Sequence, residues 1–136
     1  MLIGGGGQHR TPRLAARFAD EYNIPFASVA DTAAAFGRVR EACQESGRDP
    51  GSLVYSAAQT VCCGRDEAEL ARRAKAIGHQ VDDLRRTGLA GSPAQVVDKL
   101  GQLADAGAGR VYLQVLDLHD LDHLELIAAE VLPQVG

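Results

Sequence analysis

Every β-prone segment of this 136-residue chain is followed by an amphipathic stretch of helix length, and no Asn-Gly or Asp-Gly pair occurs to turn one strand back on the next. Antiparallel neighbours need only a tight hairpin, whereas parallel neighbours need a crossover, usually a helix. The pattern therefore predicts an α/β fold with a parallel sheet. The strand segments are Leu2-Ile3, Tyr22-Asn23-Ile24, Leu53 to Cys62 and Val111 to Leu116. Their content of Val, Tyr, Thr and Ile suits a pleated surface.

Helix signals fall between them. Thr11 with Pro12 behind it reads as an N-cap and first helical residue, with Leu14, Ala15, Phe18 and Ala19 on one face. A second helix is expected from near Asp31 to Ser46, with Phe36, Val39 and Cys43 inward and Gly47 as its stop. A third starts at Asp66, with Glu69 three residues on, and carries Leu70, Ala74 and Ile77. In Ser92-Pro93-Ala94-Gln95 the serine caps a fourth, the proline takes the first helical position and Gln95 reaches back; Gly107 ends it. A last helix is expected from near Leu118, with Leu121, Leu124, Ile127, Ala128 and Val131 inward and Pro133 closing it. The segment Gly78 to Gly91 reads as a helix extension or an excursion before the final unit.

A single domain over 1–136 is expected at this length. Apolar residues make up 46% and charged residues 24%, which argues against disorder. The net charge of −4, the absence of Trp and the lack of a basic stripe argue against a nucleic-acid binder. No apolar run is long enough to span a bilayer, and the start lacks the basic region of a signal peptide. Three cysteines, Cys43, Cys62 and Cys63, form no disulfide framework and fit a reducing cytoplasm. They read as packing residues.

The glycine run Gly4-Gly5-Gly6-Gly7 follows a strand and precedes a helix. Free N–H groups at a helix start favour an anion such as phosphate. Arg10 and Arg13 sit at that end, where cations oppose the helix dipole unless an anion binds. The dinucleotide and P-loop fingerprints do not match, since His9 and Gln8 stand where they need other residues. Three amides intrude on strands that should be apolar, Asn23, Gln59 and Gln114, and together they suggest a pocket floor. In the last strand Val111, Leu113 and Val115 share one face, and Tyr112, Gln114 and Leu116 the other. His119 and His123 lie four apart among acidic residues, a pattern read as helix-dipole stabilisation rather than a metal site.

Leu2 to Gly7 with Arg10-Thr11, then Ala16 to Asn23, Gly47-Arg48-Asp49-Pro50, Gly88 to Gln95 and Leu124 to Pro133 resemble the luciferase-like monooxygenase superfamily, in its coenzyme F-420-dependent branch. The resemblance runs along almost the whole chain. Gln8-His9 departs from the acidic-basic pair common after the glycines, and Tyr22 stands where Trp is common. The resemblance implies a (β/α)8 barrel, a fold of about 250 residues. The matched segments are its fifth to eighth strands, so four parallel βα units forming the C-terminal half of a barrel are expected, with Met1 inside or just before the fifth strand. Open edges and a bare interior face would then be closed by dimerisation or by the missing half.

The resemblance also implies flavin or deazaflavin chemistry, with coenzyme F-420 or FMN as cofactor and hydride transfer or monooxygenation as reaction. Gly4, Gly5, Gly6, Gly7, Arg10 and Thr11 would hold the cofactor's phosphate-bearing tail. Asn23, Gln59, Tyr112 and Gln114 would line the rest of the mouth. The acid/base apparatus resembles material from the other half, so no catalytic residue is expected here. The alternatives are a non-catalytic half-barrel dimer or truncated remnant, and a simple phosphate-binding α/β domain.

Overall fold

The computed structural model describes residues 1–136. Strands β1 (Leu2–Gly4), β2 (Glu21–Pro25), β3 (Val54–Cys63), β4 (Leu89–Gly91) and β5 (Arg110–Gln114) alternate with helices α1 (Arg10–Phe18), α2 (Val29–Glu45), α3 (Glu67–Ala76), α4 (Val81–Thr87), α5 (Pro93–Asp105) and α6 (Leu121–Leu126). The sheet is parallel where β1, β2 and β3 meet: Leu2 lies opposite Glu21, and Glu21 opposite Val54. The end of β3 pairs in parallel with β4, and β5 also pairs with β3. The α/β architecture is the one the missing hairpins require.

The chain forms two compact units, Met1–Ala58 with Leu103–Tyr112, and Gln59–Gln102 with Leu113–Gly136. In the first unit, Ile3, Tyr22 and Tyr55 point from their strands into a core shared with α1 and α2. Phe36 lies edge-on between the two tyrosines, with ring centroids 6.1 Å and 5.3 Å away. Such edge contacts add to the area that the rings bury. The α2 stripe of Phe36, Val39 and Cys43 is buried as its periodicity predicts. Gly47, at φ +75°, lets the Arg48 N–H reach Cys43 O and its own N–H reach Gln44 O, closing the helix in a Schellman turn.

Two helix starts differ from expectation. Thr11 is not an N-cap: α1 begins at Arg10, and Pro12 falls at the third helical position. Proline is tolerated there because a first-turn N–H has no intrahelical partner to lose. The inward face is consequently Pro12, Ala15 and Ala16, followed by Ala19, while Leu14 and Phe18 are exposed. The small alanines let α1 lie close against its neighbours, and Phe18 instead carries the Arg17 guanidinium 4.9 Å from its ring centre. In α2 the cap is Ser28, whose Oγ accepts from Asp31 N at 3.1 Å and donates to Asp31 Oδ2 at 2.8 Å.

In the second unit, Cys62, Leu70, Ala74, Leu84 and Ala90 form a core against Ile77 and Val81. Asp66 caps α3 through Glu69 N at 2.8 Å. The Ser92–Gln95 box is reciprocal: Ser92 N donates to Gln95 Oε1 at 3.0 Å, and Gln95 N donates to Ser92 Oγ at 3.2 Å. The segment Gly78 to Gly91 resolves into the separate helix α4 and the three-residue strand β4, too short to show alternation. The last helix starts at Leu121, capped by Asp120, and widens into a π turn over Ile127–Val131. Its buried residues are His123, Leu126, Ile127 and Val131; Leu121, Leu124 and Ala128 face outward. A polar anchor at His123, described below, sets that rotation.

Candidate functional site

The glycine loop leaves β1 at Gly4 and reaches α1 at Arg10. Gly5 takes φ +132°, a conformation closed to most side chains, and its N–H donates to Asn23 O at 3.1 Å. The Tyr22 hydroxyl donates to Gly5 O at 2.7 Å. That phenol is buried, and burial raises its pKa against a small opposing effect of Arg38. It therefore stays a neutral donor that holds the loop. A Cβ on Gly7 would come within 2.5 Å of Thr11 Oγ1 and 3.3 Å of Thr11 Cβ, so a side chain here would make Thr11 shift. Gly6 meets only the Ile24 side chain at ordinary distance.

The start of α1 is bare. His9 gives no side-chain cap, and the first turn contains no acidic residue. Arg10 and Arg13 are exposed there, and neither pairs with a carboxylate. Uncapped N–H groups, a helix dipole and two unpaired cations around a glycine cradle make a setting complementary to an anion.

Gly4, Gly5, Gly6, Gly7, Arg10, Thr11 and Asn23 lie together in the first unit. Asn23 is buried, and its side-chain amide donates to Ser56 Oγ at 2.9 Å. Tyr112 belongs to the same unit but not to this group. Its hydroxyl donates to Glu21 Oε1 at 3.0 Å and accepts from Arg110 at 3.2 Å, at the level where β2 starts rather than ends. Burial raises the pKa of Glu21, but hydrogen bonds from Ser56 and Tyr112 and the Arg110 charge outweigh it and hold the carboxyl below its ordinary value. Gln59 and Gln114 belong to the second unit. Gln59 is buried on β3, and Gln114 is exposed, accepting from Thr60 Oγ1 at 3.2 Å. The part of Tyr22 carries no motif and could be found only from the fold.

A second cluster escaped the sequence reading. Arg73 is buried on α3 and donates to Asp120 Oδ2 at 2.8 Å, Asp122 Oδ2 at 2.8 Å and Cys63 O at 2.9 Å, and it pairs with Glu69. Arg65 also bridges to Asp122. Burial pushes the neighbouring Cys63 thiol up to about 11, which leaves it unreactive. Cys62 is likewise raised by burial. His119 is exposed, and Nε2 of His123 is taken up by a main-chain N–H.

No family model matches the sequence, and no curated protein matches it. Solved structures do. A coenzyme F-420-dependent tetrahydromethanopterin reductase from Methanopyrus kandleri superposes with a TM-score of 0.79 at 18% identity, covering 99% of this chain and 50% of that one. A coenzyme F-420-dependent secondary alcohol dehydrogenase, in complex with an adduct of that coenzyme and acetone, gives 0.77 at 13% identity, covering 99% and 48%. The chain folds as half of a (β/α)8 barrel. The oxygenating constituent of 3,6-diketocamphane monooxygenase from Pseudomonas putida, in complex with FMN, gives 0.64 at 20% identity, again over 99% and 48%. The half barrel thus spans about half the length of each of these proteins.

Proposed function

We propose that this half barrel supplies the cofactor-tail site of a flavin- or deazaflavin-dependent oxidoreductase of the luciferase-like type. The observation that carries the reading is the glycine cradle: Gly5 at positive φ and Gly7 closed against Thr11, before a helix start that no side chain caps. That donor set fits a phosphate group. The sequence resemblance and the ligands named for the similar structures narrow the phosphate to that of coenzyme F-420 or FMN.

In this reading the main chain of Gly5 to Gly7 and the first-turn N–H groups of α1 receive the phosphate. Arg10 and Arg13 neutralise it. Asn23 and Tyr22 keep the loop in place from β2. A bound deazaflavin or flavin supplies hydride transfer or oxygenation, and the protein's share is binding and orientation. Tyr112, engaged with Glu21, takes no part. Catalysis then requires groups beyond this half barrel, and no residue described here is assigned to the chemical step.

The test is a fluorescence titration of the chain with coenzyme F-420 and with FMN. Micromolar binding that Gly7→Val and Gly5→Val each weaken at least about tenfold supports the site. Binding of neither cofactor overturns the reading, and unchanged binding by both variants removes the loop from it. Steady-state turnover with the reduced cofactor separates an active assembly from a non-catalytic ligand-binding shell.

A further inference from the structure

Helix α4 ends at Thr87, and the chain passes through Gly88 straight into β4. The last carbonyls of a helix have no donor within it. At α4 a side chain from another helix reaches them. Lys99, on α5, donates from Nζ to Arg85 O and, at 3.4 Å, to Arg86 O. Its stem is half-buried against the end of α4. No carboxylate answers its charge. Asp98, beside it on α5, accepts from Gln102 Nε2 at 2.9 Å, and Glu67 on α3 is taken by Arg85 at 2.8 Å. Burial alone lowers the Lys99 pKa. A neutral amine has two N–H groups to give, and two carbonyl oxygens stand ready for them, which leaves the lone pair free.

The same side chain lines an open groove of about 410 Å³ between α4, β4 and α5. Ala90 and Ala94 leave room in it, and Arg85 and Gln95 add polar groups. That volume suits a small organic molecule. Arg85 gives the groove a second cation. Its pair with Glu67 is exposed on both sides and therefore weak, so the guanidinium can turn to an incoming anion.

We propose that Lys99 is an acylation site, and that the groove takes an acyl phosphate as donor. The lone pair of Nζ attacks the acyl carbon. The C–N bond forms, the C–O bond to phosphate breaks, and the phosphate leaves with the proton that the nitrogen gives up. Arg85 receives the phosphate. The product is a neutral amide with one N–H left for the end of α4. The proposal does not rest on the cofactor reading.

The chain has one other lysine, Lys75, exposed on α3, which serves as internal reference. The purified chain is treated with acetyl phosphate near pH 8, and each lysine is followed by peptide mass spectrometry. Lys99 should be acetylated at least about threefold faster than Lys75, and its rate should rise with a midpoint below the ordinary lysine value of about 10.4. In urea the preference should vanish. The preference should also be larger with acetyl phosphate than with the uncharged N-hydroxysuccinimidyl acetate. Arg85→Gln keeps the main-chain oxygen that Lys99 bonds. It should slow acetylation of Lys99 by acetyl phosphate at least about threefold and leave that by the uncharged ester unchanged. Faster or equal labelling of Lys75, a midpoint at or above the ordinary value, or a preference that survives urea overturns the acylation site. Equal preference with the two donors overturns the acyl phosphate, and this arm needs no variant. A folded Arg85→Gln that leaves both rates unchanged removes Arg85 and overturns the phosphate's place in the groove.

Discussion

The imidazole Nε2 of His123 accepts the main-chain N–H of Cys63 at 2.9 Å. An accepting ring nitrogen carries no proton, so the ring is neutral with its hydrogen on Nδ1. Burial first, then the Arg73 charge, pushes the pKa down, against the smaller pulls of Asp120, Glu69 and Asp117. The unfolded chain, with its histidine near about 6.5, takes up the proton first. The stability is thus fully present above that value and is lost as pH falls below it. The melting temperature should drop between about pH 7 and pH 5. His123→Gln keeps an acceptor but cannot titrate, so its profile over that window should be flatter. Parallel profiles for the two proteins would sink the assignment.

Arg73 is the hub of the second unit. Its removal would leave Asp120 and Glu69 without their shared cation and Cys63 O without its donor. Breaking one partner out of a buried ionic network costs about 3–5 kcal/mol. Arg73→Met, which keeps much of the stem's packing, should therefore still lower stability by that order in urea denaturation. A loss under about 1 kcal/mol would show that the carboxylates find other partners.

Acid should act on the same cluster at lower pH. Hydrogen bonds from Arg65 and then Arg73 hold the Asp122 carboxyl at about 2, and the Arg73 hydrogen bond likewise lowers Asp120. Both depressed pKa values stabilise the fold above the unfolded value of about 3.9, and that contribution is lost as pH falls toward 2. Asp122→Asn should remove part of the slope between about pH 4 and pH 2 while leaving the slope near pH 6 intact. An unchanged acid limb would show that Asp122 does not respond to its arginines.

Features closed by local chemistry were legible in the sequence. The Ser92–Gln95 box, the Asp66 cap and the Gly47 stop each involve residues within five of one another, and all three form as read. The parallel sheet was legible because the lack of hairpins leaves few other topologies. The Arg73–Asp120 pair joins residues 47 apart in sequence, and no local pattern announces it. The stripe on α6 was misread for a related reason. Hydrophobicity favours Leu121 and Leu124, but the Cys63–His123 bond turns the helix so that the histidine faces inward. Tyr112 and Gln114 do share the face opposite Val111 and Leu113, yet only the strand register shows Tyr112 beside Glu21. At the glycine loop, sequence marked the glycine run, and the fold distinguishes Gly5, where positive φ strains a side chain, from Gly7, where one would crowd Thr11.

The Gly7–Thr11 contact can be measured as a coupling. A Cβ at position 7 would crowd Thr11 Oγ1, and Thr11 Cβ would lie 3.3 Å away. Overpacking of this kind costs about 1–3 kcal/mol. Gly7→Ala alone should therefore destabilise the chain by about 1 kcal/mol or more. Thr11→Ala removes the clashing oxygen and should cost little by itself, because that hydroxyl caps nothing in α1. In the double variant the damage should be partly relieved, giving a favourable interaction energy of at least about 0.5 kcal/mol in a denaturation cycle. Strict additivity of the two substitutions would mean that the loop moves away from the helix rather than packing on it. The cradle would then be a mobile segment instead of a preformed anion site.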